Sequence, residues 1–260
     1  MKILSRKPTG RELVLIAALT LLIAAMDITG IPSAFFVHIQ AADIEPFYFT
    51  LMVNFLITGA VAFLYLRLLC PWWRLGFTKE GLAAGLKSYG VLGTAVALIG
   101  LVAFYVGLRP FDRQPSFAKV LVEGVLYYAG VAVVEELYVR GLLLNLLEKL
   151  FAPGRHSTLL AVLISSVVFG AGHIFGALGQ PLLVIVSKVA WTVGMGMFFG
   201  MAYKKTGNLW LPVILHFLVD VCALPYCFSS MSGYADLTLF IIVPVYVALG
   251  AYSLIQLKKA

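Results

Sequence analysis

The chain has 260 residues, 62% of them hydrophobic and only 12% charged, and its mean hydropathy of +0.99 lies far on the apolar side of a water-soluble domain. The formal net charge of +7 comes from 19 Lys and Arg against 12 Asp and Glu; the basic residues fall in small groups between apolar runs, which argues against a nucleic-acid-binding face. Three cysteines, Cys70, Cys222 and Cys227, form no Cys-x-x-Cys pair and indicate neither a disulfide framework nor a thiolate zinc site.

A helix crosses the bilayer with about 20 mostly apolar residues, and apolar runs succeed one another along the whole chain. The first, 13–37, follows Lys2, Arg6, Lys7 and Arg11. Further apolar segments behind it favour a retained span over a cleaved signal peptide, and Gly30 and Pro32 predict a break near its end. The second, 47–69, and third, 84–108, flank a short loop with Arg74 and Lys79. An irregular loop at 110–115 leads to the fourth run, 120–147, which is followed by 158–178, 182–202, 209–222 and 237–257. The expectation is an all-α, polytopic transmembrane helical bundle of about eight spans, forming one domain over residues 1–260 without repeats or long hydrophilic linkers.

Loop charges set the orientation, because short cytoplasmic loops are enriched in Lys and Arg. One side carries the N-terminal group, then Arg74 and Lys79, Lys149 and Arg155, Lys204 and Lys205, and finally Lys258 and Lys259. The other carries Asp43 and Glu45, the mixed group Arg109, Asp112, Arg113 and Lys119, and Asp236. Both termini are therefore expected in the cytoplasm, most simply of a plasma-membrane protein.

A charge at the bilayer centre costs roughly 2.5 to 3.5 kcal/mol on insertion scales, so such residues persist mainly where they pair or work. The fourth run contains three, Glu135, Glu136 and Arg140. On a helix Glu136 and Arg140 are four apart and share a face, with the acid nearer the N-terminus, the favoured order. Glu135 lies about 100° around the helix from Glu136, which leaves its carboxylate available for proton transfer. His173 lies deep in the fifth run, after Gly170 and Gly172, which allow close helix approach. His216 and Asp220 share a face of the seventh. Glutamate with histidine can hold and deprotonate a water, while a second histidine can donate to a developing oxyanion. The combination suits peptide hydrolysis. A buried interhelical ion network is the bland alternative.

These residues also carry a family likeness. Glu135-Glu136-Leu-Tyr-Val-Arg140 resembles the Glu-Glu-x-x-x-Arg motif of the CAAX protease and bacteriocin-processing family, the type II CAAX prenyl endopeptidase-like membrane proteases. Phe169-Gly-Ala-Gly-His173 is similar to its Phe-x-x-x-His motif, and His216-Phe-Leu-Val-Asp220 to its His-x-x-x-Asn or Asp motif. Residues 206–210, Thr-Gly-Asn-Leu-Trp, resemble the approach to that third motif. The likeness covers a motif core of 131–221. It implies an intramembrane glutamic endopeptidase in which Glu135 and His173 activate water, His216 and Asp220 line the oxyanion side, and Glu136 with Arg140 support the site. The prenyl-protein proteases usually carry Asn where this chain has Asp220, and an ionised Asp cannot donate a hydrogen bond.

The implied partners are the lipid bilayer and a membrane-associated peptide or protein substrate, with no nucleic acid and no metal cofactor. A zinc-dependent protease using Glu135, His173 and His216 is the close alternative, although no His-Glu-x-x-His pair supplies two ligands from one helix. A proton or ion transporter and a noncatalytic membrane scaffold are the other classes. Asp27, Lys87, Glu123 and Lys188 read as snorkelling or interhelical pairs, and His38 and His156 as solvated loop residues. Trp72, Trp73 and Trp210 read as an interfacial belt.

Overall fold

The computed structural model describes residues 8–30, 43–107, 115–228 and 236–259. Within them every long element is a helix: α1 Gly10–Thr29, α2 Pro46–Leu69, α3 Leu82–Val106, α4 Phe117–Phe151, α5 Ser157–Gly172, α6 Leu182–Thr206, α7 Trp210–Cys222 and α8 Asp236–Lys258. Seven are long and apolar enough to cross a membrane, α5 together with the 3₁₀ turn Phe175–Ala177 that follows it. The exception is α7, whose 13 residues span about 20 Å at 1.5 Å per residue, short of a hydrocarbon core of about 30 Å. The eight apolar runs thus become seven helices of spanning length and one shorter apolar helix, α7. By contrast α4, with 35 residues, is roughly 50 Å long and has length to spare for tilting. It widens to π-helical winding over Val120–Leu126 and Leu137–Leu144; such turns often accompany functional sites.

The spans are apolar on most of their circumference because one face meets lipid and the other meets protein. Leu56, Leu68 and Phe240 are exposed, as lipid-facing residues are, whereas Ile16, Leu19 and Ile23 of α1 pack against Phe55, Ala62 and Leu66 of α2 and Val134, Leu137 and Leu142 of α4. A second core joins Val96 and Phe104 of α3, Phe198 and Phe199 of α6, Leu211 and Leu215 of α7, and Ile242 and Tyr246 of α8. The most extensive helix pair is α6 with α8. There Gly194 lies flush against the Tyr246 carbonyl, so that a Cβ at position 194 would collide with the backbone.

Local chemistry sets the ends. Thr9 and Glu12 form a reciprocal capping box on α1, and Gly30 closes that helix at φ 59°, a conformation that costs glycine little. The further break expected at Pro32, the basic residues Lys2, Arg6 and Lys7, the loop residues Arg109, Pro110, Asp112 and Arg113, and His38 lie outside the described residues. His156 is exposed beside the start of α5. Ahead of α2, Ser116 donates its hydroxyl and its amide to Asp43 at 2.6 and 3.2 Å, which holds that carboxyl below its ordinary value of 3.8. Nearby, Glu123 is buried and pairs with Lys119 at 3.0 Å, one turn earlier on the same helix rather than across helices, and also accepts from the Glu45 amide at 2.7 Å.

Two loops position α7. Asn208, fully buried, donates its side-chain amide to the Thr78 and Glu80 carbonyls at 2.6 and 2.7 Å, and the Leu209 amide donates to Gly76 at 2.9 Å. This staples residues 206–210 to the loop between α2 and α3 and sets the depth at which α7 begins. Trp73 departs from the interfacial role anticipated for it. It is 4% exposed and donates its indole N–H to the Gly141 carbonyl at 2.9 Å, because the π-helical turns of α4 leave carbonyls off the regular ladder.

Candidate active site

Glu135 and Glu136 sit near the midpoint of α4, and helix geometry separates them. Glu136 is 0% exposed. Its Oε1 accepts from Arg140 Nη1 at 2.8 Å and from His216 Nδ1 at 2.9 Å, so a single carboxylate oxygen joins α4 to α7. The Arg140 contact is the i,i+4 pair anticipated from sequence; the His216 contact, across 80 positions, is not a local feature and had no signal there. Arg140 is itself 1% exposed. Its guanidinium lies 4.4 Å from the Phe169 ring and 5.5 Å from that of Phe199 and donates to the Gly196 carbonyl at 3.3 Å. Hydrogen bonds and aromatic faces together replace the water it has lost.

Glu135 is turned away from this cluster, and its side chain is 16% exposed to a cavity of about 460 Å³. His173, His216 and Asp220 line the same cavity. His216 Nε2 faces Glu135 Oε2 at 3.7 Å and Asp220 Oδ2 at 3.6 Å, and neither of those carboxylate oxygens is hydrogen-bonded by a described residue. Two buried acceptors and an imidazole edge therefore border one polar recess. Buried polar atoms without partners are uncommon and call for a functional account.

His173 closes α5 and donates Nδ1–H to the Phe169 carbonyl at 2.9 Å. A carbonyl can only accept, so this bond places the hydrogen on Nδ1 and leaves Nε2 with its lone pair. Phe169 packs edge-on against His173 and His216, with centroids 4.7 and 5.9 Å away. It is the spacer of the site as well as a platform for Arg140. Of the two glycines between Phe169 and His173, Gly170 lies where a Cβ would come within 2.5 Å of Val193 on α6, and Gly172 has open space; close helix approach applies to the first alone.

The six residues singled out in the sequence thus converge on α4, α5 and α7. Ser165 and Ser166 of α5 do not join them: both donate to the Val162 carbonyl of their own helix, at 3.2 and 2.6 Å. Among the described residues no three His, Cys, Asp or Glu side chains are arranged to hold a metal ion. His216 and His173 each engage Nδ1, with the Glu136 carboxylate and the Phe169 carbonyl respectively, which leaves Nε2 as the ring nitrogen each has for a further partner. Two charged residues that local reading treated as snorkelling or paired, Asp27 of α1 and Lys188 of α6, also line the cavity. Lys87 remains exposed.

Residues 117–222 match the family model of Rce1-like proteins, type II CAAX prenyl endopeptidases. The matched segment runs from the start of α4 to the end of α7 and contains all six candidate site residues. No curated protein and no solved structure matches the chain significantly.

Proposed function

We propose that this chain is an intramembrane endopeptidase that hydrolyses peptide bonds of membrane-associated substrates in the cavity between α4, α5 and α7. The observation that carries this reading is the division of labour between adjacent carboxylates: one oxygen of Glu136 is held by both Arg140 and His216, while Glu135, unpaired with any cation of its own helix, presents an oxygen to the cavity that no described residue hydrogen-bonds. Glu135 and His173 hold a water between them, and Glu135 removes its proton as the oxygen attacks the scissile carbonyl. His216 carries a proton on each ring nitrogen in this state, the arrangement that its flanking carboxylates favour, and donates from Nε2 to the oxyanion. When the tetrahedral intermediate collapses the C–N bond breaks, and the proton held by Glu135 passes to the leaving amine. Asp220 orients Nε2, or donates to the oxyanion itself when protonated. No covalent acyl-enzyme forms, in keeping with serine hydroxyls directed at their own helix.

The Rce1-like match supports the reaction class. Glutamate chemistry without a metal is the proposal's finer part, supported by the unpartnered Glu135 oxygen that shares the cavity with His173 and His216. In the same reading both termini face the cytoplasm, most simply at the plasma membrane, and residues 1–260 act as one protease domain.

The test compares membranes holding the intact protein with membranes holding Glu135→Gln, by profiling new protein N-termini, alongside cleavage by purified protein in nanodiscs. Glu135→Gln keeps shape and hydrogen bonding but removes the base, and should lower turnover by about 10² to 10⁴-fold with unchanged thermal stability. Activity should survive a chelator. Loss that zinc restores would transfer the reaction to a metal mechanism, and proton-coupled flux without cleavage would replace the protease with a transporter.

A further inference from the structure

The cavity holds a cation that hydrolysis does not use. Lys188 lies one and a half turns into α6, inside a membrane span, where an ammonium group persists mainly if it is paired or functional. Arg140, the other cation of the site, is paired at 2.8 Å with Glu136. Lys188 is not in ion-pair contact with any described carboxylate; Glu135 and Asp220 line the same cavity. The ammonium nitrogen lies beside Gly176 in the turn after α5, 3.8 Å from where a Cβ at that position would stand, and Lys188, Gly176 and His173 line one wall of the cavity.

We propose that Lys188 is a specificity-determining residue that binds a carboxylate of the substrate, and specifically the free α-carboxylate at the end of the peptide being shortened. An unpaired ammonium in a low-dielectric cavity calls for an anion. The α-carboxylate is the one anion that a peptide carries whatever its side chains, so it is the ligand that a single lysine can recognise without reading sequence. Lys188 then fixes which bond is cut by fixing how far the chain terminus lies from Glu135. This inference rests on the endopeptidase reading for its meaning, but its test does not depend on turnover.

The test uses the full chain in nanodiscs, in the Glu135→Gln form for binding and the intact form for cleavage. The probes are three versions of one fluorescent S-prenylated peptide: with a free C-terminal carboxylate, with a C-terminal amide, and as the amide with an internal glutamate. Glu135→Gln protein should bind the free acid about tenfold or more tightly than the amide, as a lost charged hydrogen bond implies. Adding Lys188→Met should abolish that preference by weakening the acid alone, while Lys188→Arg should keep it. In the intact enzyme Lys188→Met should raise KM for the acid and leave the amide unchanged. Equal binding of acid and amide by protein that retains Lys188 overturns the proposal with no further variant needed, as does an equal fall in kcat for both peptides with Lys188→Met, the signature of a mere counter-charge. Preference for the internal-glutamate amide over the free acid would also overturn it, in favour of side-chain recognition. Selective binding without any cleavage would leave Lys188 as the anion site and sink the endopeptidase reading instead.

Discussion

Neutralising Glu136 separates its part from that of its neighbour more sharply than any other change. In Glu136→Gln the Arg140 guanidinium keeps the Gly196 carbonyl and the Phe169 and Phe199 faces but loses its only carboxylate among the described residues. Both groups are essentially out of contact with solvent, at 0% and 1% exposure, so screening by water gives little relief. Removing one partner of a buried pair costs about 3 to 5 kcal/mol. The glutamine oxygen still accepts one neutral hydrogen bond, worth about 1 kcal/mol, so the expected net loss is about 2 to 4 kcal/mol. The same substitution removes the charge from His216 Nδ1, so turnover should fall as well. Adding Arg140→Met should return part of the stability by eliminating the stranded cation, without restoring turnover. Thermal unfolding and peptide cleavage of the single and double variants in nanodiscs measure both quantities. If Glu136→Gln melts with the wild type, or if it is folded and inactive while Glu135→Gln cleaves normally, the assignment of base and structural partner must be exchanged.

Asp220→Asn should retain or raise activity by supplying an N–H near the oxyanion; a loss of about a hundredfold, the size of a missing oxyanion donor, would mean that the carboxylate itself acts by orienting His216. Gly194→Ala should destabilise the α6–α8 contact, because the new methyl meets the Tyr246 carbonyl; overpacking of this kind costs about 1 to 3 kcal/mol, and an unchanged melting temperature would show that the helices can separate freely. A cysteine introduced beside Lys204, which pairs with Glu148 at 2.6 Å, should react with an impermeant probe only from the cytoplasmic side, and labelling from the outer side alone would refute the orientation.

Where the helices lie was legible to within several residues, because the bilayer demands long apolar segments and local caps finish them. The α1 break at Gly30 and the Glu136–Arg140 pair are both of this kind: a positive φ and an i,i+4 spacing are decided within one turn. The same holds for the separation of Glu135 from Glu136, since adjacent helical residues point about 100° apart. Tertiary structure decided which of those directions is packed and which opens on the cavity. It also set the staple from Asn208, the burial of Trp73 against α4 and the reach of Asp27 and Lys188 into the site. None of these leaves a periodic trace, because transmembrane helices are apolar on nearly every face and composition cannot distinguish lipid from a neighbouring helix. His216 meets Glu136 across 80 positions of chain, and only the packing of α7 against α4 brings an imidazole to a carboxylate that its own helix had already paired.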